Sequence, residues 1–224
     1  MSDPTTSNNP LRIVVLISGS GTNLQAMIDQ IHHTEVPARL VAVISNRADA
    51  YGLQRAEQAG IPARVLNHRD YESREAYDTA LQTLIDEYRP DLIVLAGFMR
   101  ILSDDFVRHY QGRMINIHPS LLPRYKGLNT HQRALEAGDI EHGCSVHYVT
   151  TELDSGPVIL QAGVPIEASD TPESLAQKVH QQEHCIYPQV IDWIARGRVS
   201  LQDDTVLLDG QPISEQQRRC QAKN

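Results

Sequence analysis

The chain has 224 residues, 41% of them hydrophobic, and a formal net charge of −8, which allows one substantial core and disfavours phosphate backbones as partners. Its 20 Lys and Arg are scattered instead of gathered into blocks, so nucleic acid is not expected. No apolar run approaches the roughly 20 residues of a membrane helix, and Met1 to Pro10 lacks the basic and apolar regions of a signal peptide, so a cytoplasmic protein with no membrane partner is expected, as monomer or homodimer.

Residues 1–10 are polar, contain two prolines and show no periodicity, and read as a flexible tail. A single domain is expected over 11–210 and a polar C-terminal tail over 211–224. Arg12 to Ile17, Leu40 to Ile44 and Asp91 to Ala96 are continuous apolar runs of buried-strand type, with shorter ones at Ala63 to Leu66 and Met114 to Ile117. Between them lie helical patterns: Leu24, Met27, Ile28 and Ile31 share one face, and Tyr77, Leu81, Leu84, Ile85 and Tyr88 another, with Ser73 as N-cap and Pro90 as stop. Strands alternating with helices predict a Rossmann-like α/β fold, a mainly parallel sheet with helices on both faces. After Gly143, Cys144 to Val149 and Val158 to Ala162 are separated only by a Gly/Pro loop, which predicts an antiparallel extension of that sheet. Asp170, Pro172 and Glu173 read as an N-cap, a first-turn proline and a capping-box acid opening a long helix, kinked at Pro188. Val199 to Leu208 reads as a closing hairpin. Cys144, Cys185 and Cys220, odd in number and far apart, fit reduced thiols.

Two segments carry chemistry. Ser18-Gly19-Ser20-Gly21-Thr22-Asn23 stands where the first strand turns into a helix, and unpaired backbone N–H groups with the helix dipole make an anion site there. Leu24 replaces the third glycine of a dinucleotide fingerprint, Ser45-Asn46 ends the second strand without a ribose-binding acid, and no Walker lysine follows. The loop therefore suits a phosphate monoester better than NAD or ATP. Downstream, Asn116, His118 and Asp154 supply an amide donor, a titratable imidazole and a carboxylate. Acyl transfer to an amine needs that set, because its tetrahedral oxyanion wants donors and the attacking amine must shed a proton.

The signatures Ile13 to Gln25, Leu95 to Leu102, Asn116-Ile117-His118-Pro119-Ser120-Leu121-Leu122-Pro123 and Leu153-Asp154-Ser155-Gly156-Pro157-Val158-Ile159 occur in that order. With them the chain resembles the phosphoribosylglycinamide formyltransferases, the purine-biosynthesis family that moves a formyl group from 10-formyltetrahydrofolate to glycinamide ribonucleotide. The resemblance covers about Arg12 to Gly210. The Asn-x-His-Pro-Ser motif marks only the wider group of formyltetrahydrofolate enzymes; the glycine loop and Gln182-Glu183-His184 narrow it.

The resemblance implies a role for each matching position. Gly21, Thr22 and Asn23 match the loop that holds the ribonucleotide phosphate, and Glu183 a residue contacting that substrate. Asn116 matches the amide that steadies the formyl oxygen, His118 the group that stabilises the oxyanion and handles a proton, and Asp154 the carboxylate that raises the His118 pKa and helps relay the amine proton. Arg74, Met99, Arg100, Ile101, Leu102 and Thr150, with Asn116 and Asp154, match the folate site. The co-substrate implied is 10-formyltetrahydrofolate, and no metal is implied. His180-Gln181-Gln182-Glu183-His184 is a literal match to a zinc-peptidase pattern, set aside because a catalytic zinc wants a third protein ligand and because the Asn-His-Asp set would be left idle. A formyltetrahydrofolate hydrolase, or a non-catalytic phosphate-ligand-binding module, remains as an alternative. Many relatives carry His-Thr-His where this chain has Asn129-Thr130-His131, which bears on peripheral substrate contacts.

Overall fold

The computed structural model describes residues 9–220. Five strands run parallel in the spatial order β3–β2–β1–β4–β5: β1 (Leu11–Ile17), β2 (Ala38–Ser45), β3 (Ala63–Val65), β4 (Leu92–Leu95) and β5 (Met114–His118). The helices between them are α1 (Thr22–Gln30), α2 (Gly52–Gln58), α3 (Arg74–Glu87) and α4 (Asp104–His109), and α5 (Thr130–Glu136) follows β5. The predicted antiparallel pair is β6 (Glu141–Tyr148) and β7 (Val158–Pro165), joined to β5 through β6. α6 (Pro172–Ala195) is the long helix.

The period of two along a strand divides the core. Ile13, Val15 and Ile17 of β1 pack with α1 and α6 residues such as Met27 and Val190 on one face, while Val14 and Leu16 pack with Tyr77, Leu81 and Phe106 of α3 and α4 on the other. These five β1 side chains are fully buried, each contributing on the order of 2 kcal/mol relative to exposure. A continuous apolar run is what a strand covered on both faces requires. At α3 the expected cap is present: the Ser73 side chain accepts from Ala76 N.

Two expectations need correction. The α6 N-cap is Thr171, one residue beyond Asp170, and its box partner is Ser174 instead of Glu173. Asp170 instead accepts from Ser174 Oγ at 2.7 Å and from Lys178 Nζ at 2.8 Å, bracing the helix start from outside. Pro188 lies inside a continuous α6. Residues 211–224 are polar as read but are not a loose tail where described. β8 (Val199–Gln202) and β9 (Thr205–Leu208) form the expected hairpin, turning through Asp203 and Asp204 at φ 46° and 59°. β10 (Gln211–Pro212) then adds a third strand, and after α7 (Glu215–Arg218) β11 (Arg219–Cys220) pairs with β7 at the sheet edge. Backbone pairing needs no apolar side chains, so polar sequence hid it. Residues 1–8 of the expected N-terminal tail, and 221–224, lie outside the described residues.

Candidate active site

Neighbouring strands β1 and β4 lead to opposite faces, β1 into α1 and β4 into the connection before α4, and such a switch point opens a crevice at the carboxyl ends of the strands. The two loops there are tied together. Ser18 N donates to Gly97 O at 3.1 Å, Met99 N donates to Ser18 Oγ at 2.8 Å, and Ser18 Oγ donates to Asn46 Oδ1 at 2.6 Å.

Gly21 takes the α1 N-cap position at φ 71° with no side-chain cap, so no capping side chain accepts from the first-turn N–H groups. Only glycine fits, since a Cβ at 21 would lie 2.7 Å from Gly52 Cα. Asn23 Nδ2 donates to Glu183 Oε2 at 2.8 Å, joining α1 to α6 across 160 positions of sequence. Glu183 is buried, and burial pushes its carboxyl up while the Asn23 hydrogen bond pulls it down. Asn23 Oδ1 is buried without a donor.

Asn116 and His118 alternate along β5 with Ile115 and Ile117, which face the α6 side. This puts the two polar side chains on one face at the strand end. Asp154, at φ 48° in the β6–β7 loop, brings Oδ2 to 3.4 Å from His118 Nδ1. Both side chains are under a tenth exposed. His118 Nε2 lies 2.9 Å from Tyr125 O, a carbonyl that can only accept, so Nε2 carries a proton. Gly127 N also donates to Asp154 Oδ2 at 2.8 Å, so the segment after β5 is fastened to both catalytic candidates. Gly156 explains the Asp-Ser-Gly-Pro motif: a Cβ there would run into the Tyr148 carbonyl oxygen.

His147 was not singled out from the sequence. It sits opposite Asn116 in the β5–β6 ladder, with Nε2 3.2 Å from Asn116 Nδ2 and 3.9 Å from Asp154 Oδ1, while Nδ1 donates to Tyr148 O at 2.8 Å. Burial lowers its pKa and keeps the ring neutral. The signal in the sequence was only the alternation Ser145-Val146-His147, because which β6 residue faces Asn116 depends on register. Tyr125 and Gly127 act through backbone atoms, which sequence chemistry does not mark.

Of the folate-matching residues, Met99 and Ile101 are 67% and 63% exposed, apolar surface open to a flat ligand. Leu102 is buried, and the Arg100 guanidinium stacks on the Tyr77 ring at 4.4 Å. Asp78 of α3 pins this connection by accepting from Ser103 N at 2.6 Å. Thr150 Oγ1 donates to Glu152 O at 3.2 Å in the Asp154 loop. Arg74 is set apart: it opens α3 in a largely exposed pair with Glu75 at 3.2 Å. Asn129 occupies the α5 N-cap at φ 57°, a left-handed conformation that Asn tolerates well.

An amide, an imidazole and a carboxylate gathered at one strand end of a doubly wound sheet are the set that a group-transfer enzyme needs. Residues 11–191 match the family described as Formyl transferase, and the chain belongs to it. It is 56% identical to phosphoribosylglycinamide formyltransferase of Escherichia coli K12 over 206 residues, 92% of this chain and 97% of that one. The Haemophilus influenzae protein of the same name is 49% identical, over 90% of this chain and 95% of its own length. The solved phosphoribosylglycinamide formyltransferase of Coxiella burnetii has a TM-score of 0.89 at 57% identity, covering 94% of this chain and 99% of that one. Within the family the chain is thus an enzyme of the phosphoribosylglycinamide formyltransferase group.

Proposed function

We propose that this enzyme transfers the formyl group of 10-formyltetrahydrofolate to the amine of glycinamide ribonucleotide, in the cytoplasm. The observation that carries the reading is the pairing of His118 Nδ1 with Asp154 Oδ2 at 3.4 Å beside Asn116. The amine nitrogen attacks the formyl carbon, and the carbonyl electron pair moves to oxygen. Asn116 and His118 donate to that oxyanion, which is a stronger acceptor than the Tyr125 carbonyl now held by His118 Nε2. The bond to folate N10 breaks as the pair returns; the amine proton leaves toward Asp154 through water and is passed on by the same relay to N10. Proton count is conserved.

The ribonucleotide phosphate rests on Gly21, Thr22 and Asn23, with Glu183 beside it and Asn23 Oδ1 free to accept from a ligand hydroxyl. The pterin lies against Met99, Arg100, Ile101, Leu102 and the Thr150 to Asp154 loop, and Arg74 meets the glutamate tail as a screened surface contact. No step needs a metal. A spectrophotometric assay with a 10-formyl folate analogue tests this. Deformylation dependent on glycinamide ribonucleotide is expected. Equal turnover with water alone would make the chain a hydrolase, and no turnover with either would make it a binding module.

A further inference from the structure

We propose that His147 is a positioning residue that fixes which way the Asn116 amide faces, holding Nδ2 on its own side so that the second N–H of that group is left for the formyl oxygen. The inference rests on the role given to Asn116 above. An amide is nearly symmetric in shape, so packing alone does not distinguish its oxygen from its nitrogen. A neighbour with a fixed donor or acceptor does.

His147 is such a neighbour. Its Nδ1 lies 2.8 Å from Tyr148 O, and a carbonyl has no proton to give, so Nδ1 is the donor. On a neutral ring Nε2 then holds only a lone pair. The atom facing Nε2 at 3.2 Å is Asn116 Nδ2. Turning the amide over would place its oxygen against that lone pair and forfeit a hydrogen bond in a buried place, where an unmade bond is costly. The order of control runs from the β6 backbone to the His147 tautomer and from the tautomer to the Asn116 amide. The Tyr148 carbonyl that starts it is closed over by Gly156.

The groups facing His147 bear on its charge in opposite senses. Burial disfavours the charged ring most, and His118, from β5, adds to it; the Tyr148 carbonyl and Asp154, from the β6–β7 loop at 3.9 Å, favour the charged ring but are outweighed. Protonation at low pH would turn Nε2 into a donor and favour the amide oxygen beside it. The neutral ring is therefore the form that keeps Asn116 useful.

Two substitutions separate positioning from packing. His147→Asn keeps a donor near Tyr148 O but has no acceptor at the Nε2 position; His147→Gln can place a carbonyl oxygen there. We expect His147→Asn to lower kcat by ~10-fold to 100-fold with both KM values within about 3-fold, and His147→Gln to stay within about 5-fold of wild type. In an Asn116→Ala background, His147→Asn should lower kcat by less than about 2-fold, because the group it positions is gone. Circular dichroism melts of each variant identify any that fails to fold, and the Gln and double-mutant arms then decide. Equal losses in the Asn and Gln variants, or a full further loss in the Asn116→Ala background, would overturn the proposal. Absence of formyl transfer in the wild-type enzyme would instead overturn the proposed function.

Discussion

Gln30 Nε2 donates to the His184 carbonyl at 2.9 Å, and that carbonyl is the one Pro188, four residues on in α6, leaves without a helical donor. The proline removes an N–H from the helix interior, and a side chain from α1 replaces it. α6 therefore continues to Ala195 instead of ending, carrying Val190 and Ile191 into the core.

Gln30→Ala should cost about 1 kcal/mol, the typical value of one such hydrogen bond, and lower the melting temperature by roughly 2–4 °C in a chain of this size. In a Pro188→Ala background, where the helix supplies its own donor, the same substitution should cost markedly less. Thermal unfolding of the four proteins measures this. An unchanged cost in the second background would show that Gln30 acts otherwise.

The glycine loop gives a second outcome. Gly21→Ala meets both a positive φ and the Gly52 backbone at 2.7 Å, so a loss of about 1–3 kcal/mol of stability is expected. Asn23→Ala should raise KM for the ribonucleotide ~10-fold or more while KM for the folate changes less than about 3-fold. Steady-state kinetics with each substrate varied in turn provides the check. Equal changes in both would contradict a phosphate loop.

Acid stability gives a third. His142 on β6 faces His131, its Nε2 3.2 Å from that ring's Nδ1, and burial, with His131 next, lowers its pKa from 6.5 to about 4. Between those values the unfolded chain binds more protons than the folded one, so this contribution to stability is complete above about pH 6.5 and is lost as pH falls toward 4. Urea unfolding between pH 7 and 4.5 should show stability falling with acidification, and His142→Asn should flatten that slope. Identical slopes would remove His142 from the account.

Much of the architecture was legible because it is local. β1, β2 and β4 are built on continuous apolar runs, Ser73 caps α3 as its position suggested, and Asp203-Asp204 turns the hairpin. The site was legible as residue types in motifs: Asn116, His118 and Asp154 converge, and Asn23 meets Glu183. What stayed hidden is set by distant partners. The β5–β6 register put His147 opposite Asn116, backbone atoms of Tyr125 and Gly127 fastened the loop to His118 and Asp154, and β11 joined the sheet through main-chain pairing. At α6 the expected cap, Asp170, instead pairs with Lys178 just outside the helix, and Thr171 takes its place.

The most direct measurement follows a 13C-labelled formyl group by NMR from 10-formyltetrahydrofolate to the amine of glycinamide ribonucleotide, in wild-type enzyme and in the His118→Ala and Asp154→Ala variants. Label should reach the amine with wild type. In either variant the rate should fall by about 10²-fold or more, with both substrates bound within a few-fold of normal. Wild-type transfer rates in either variant would contradict the account.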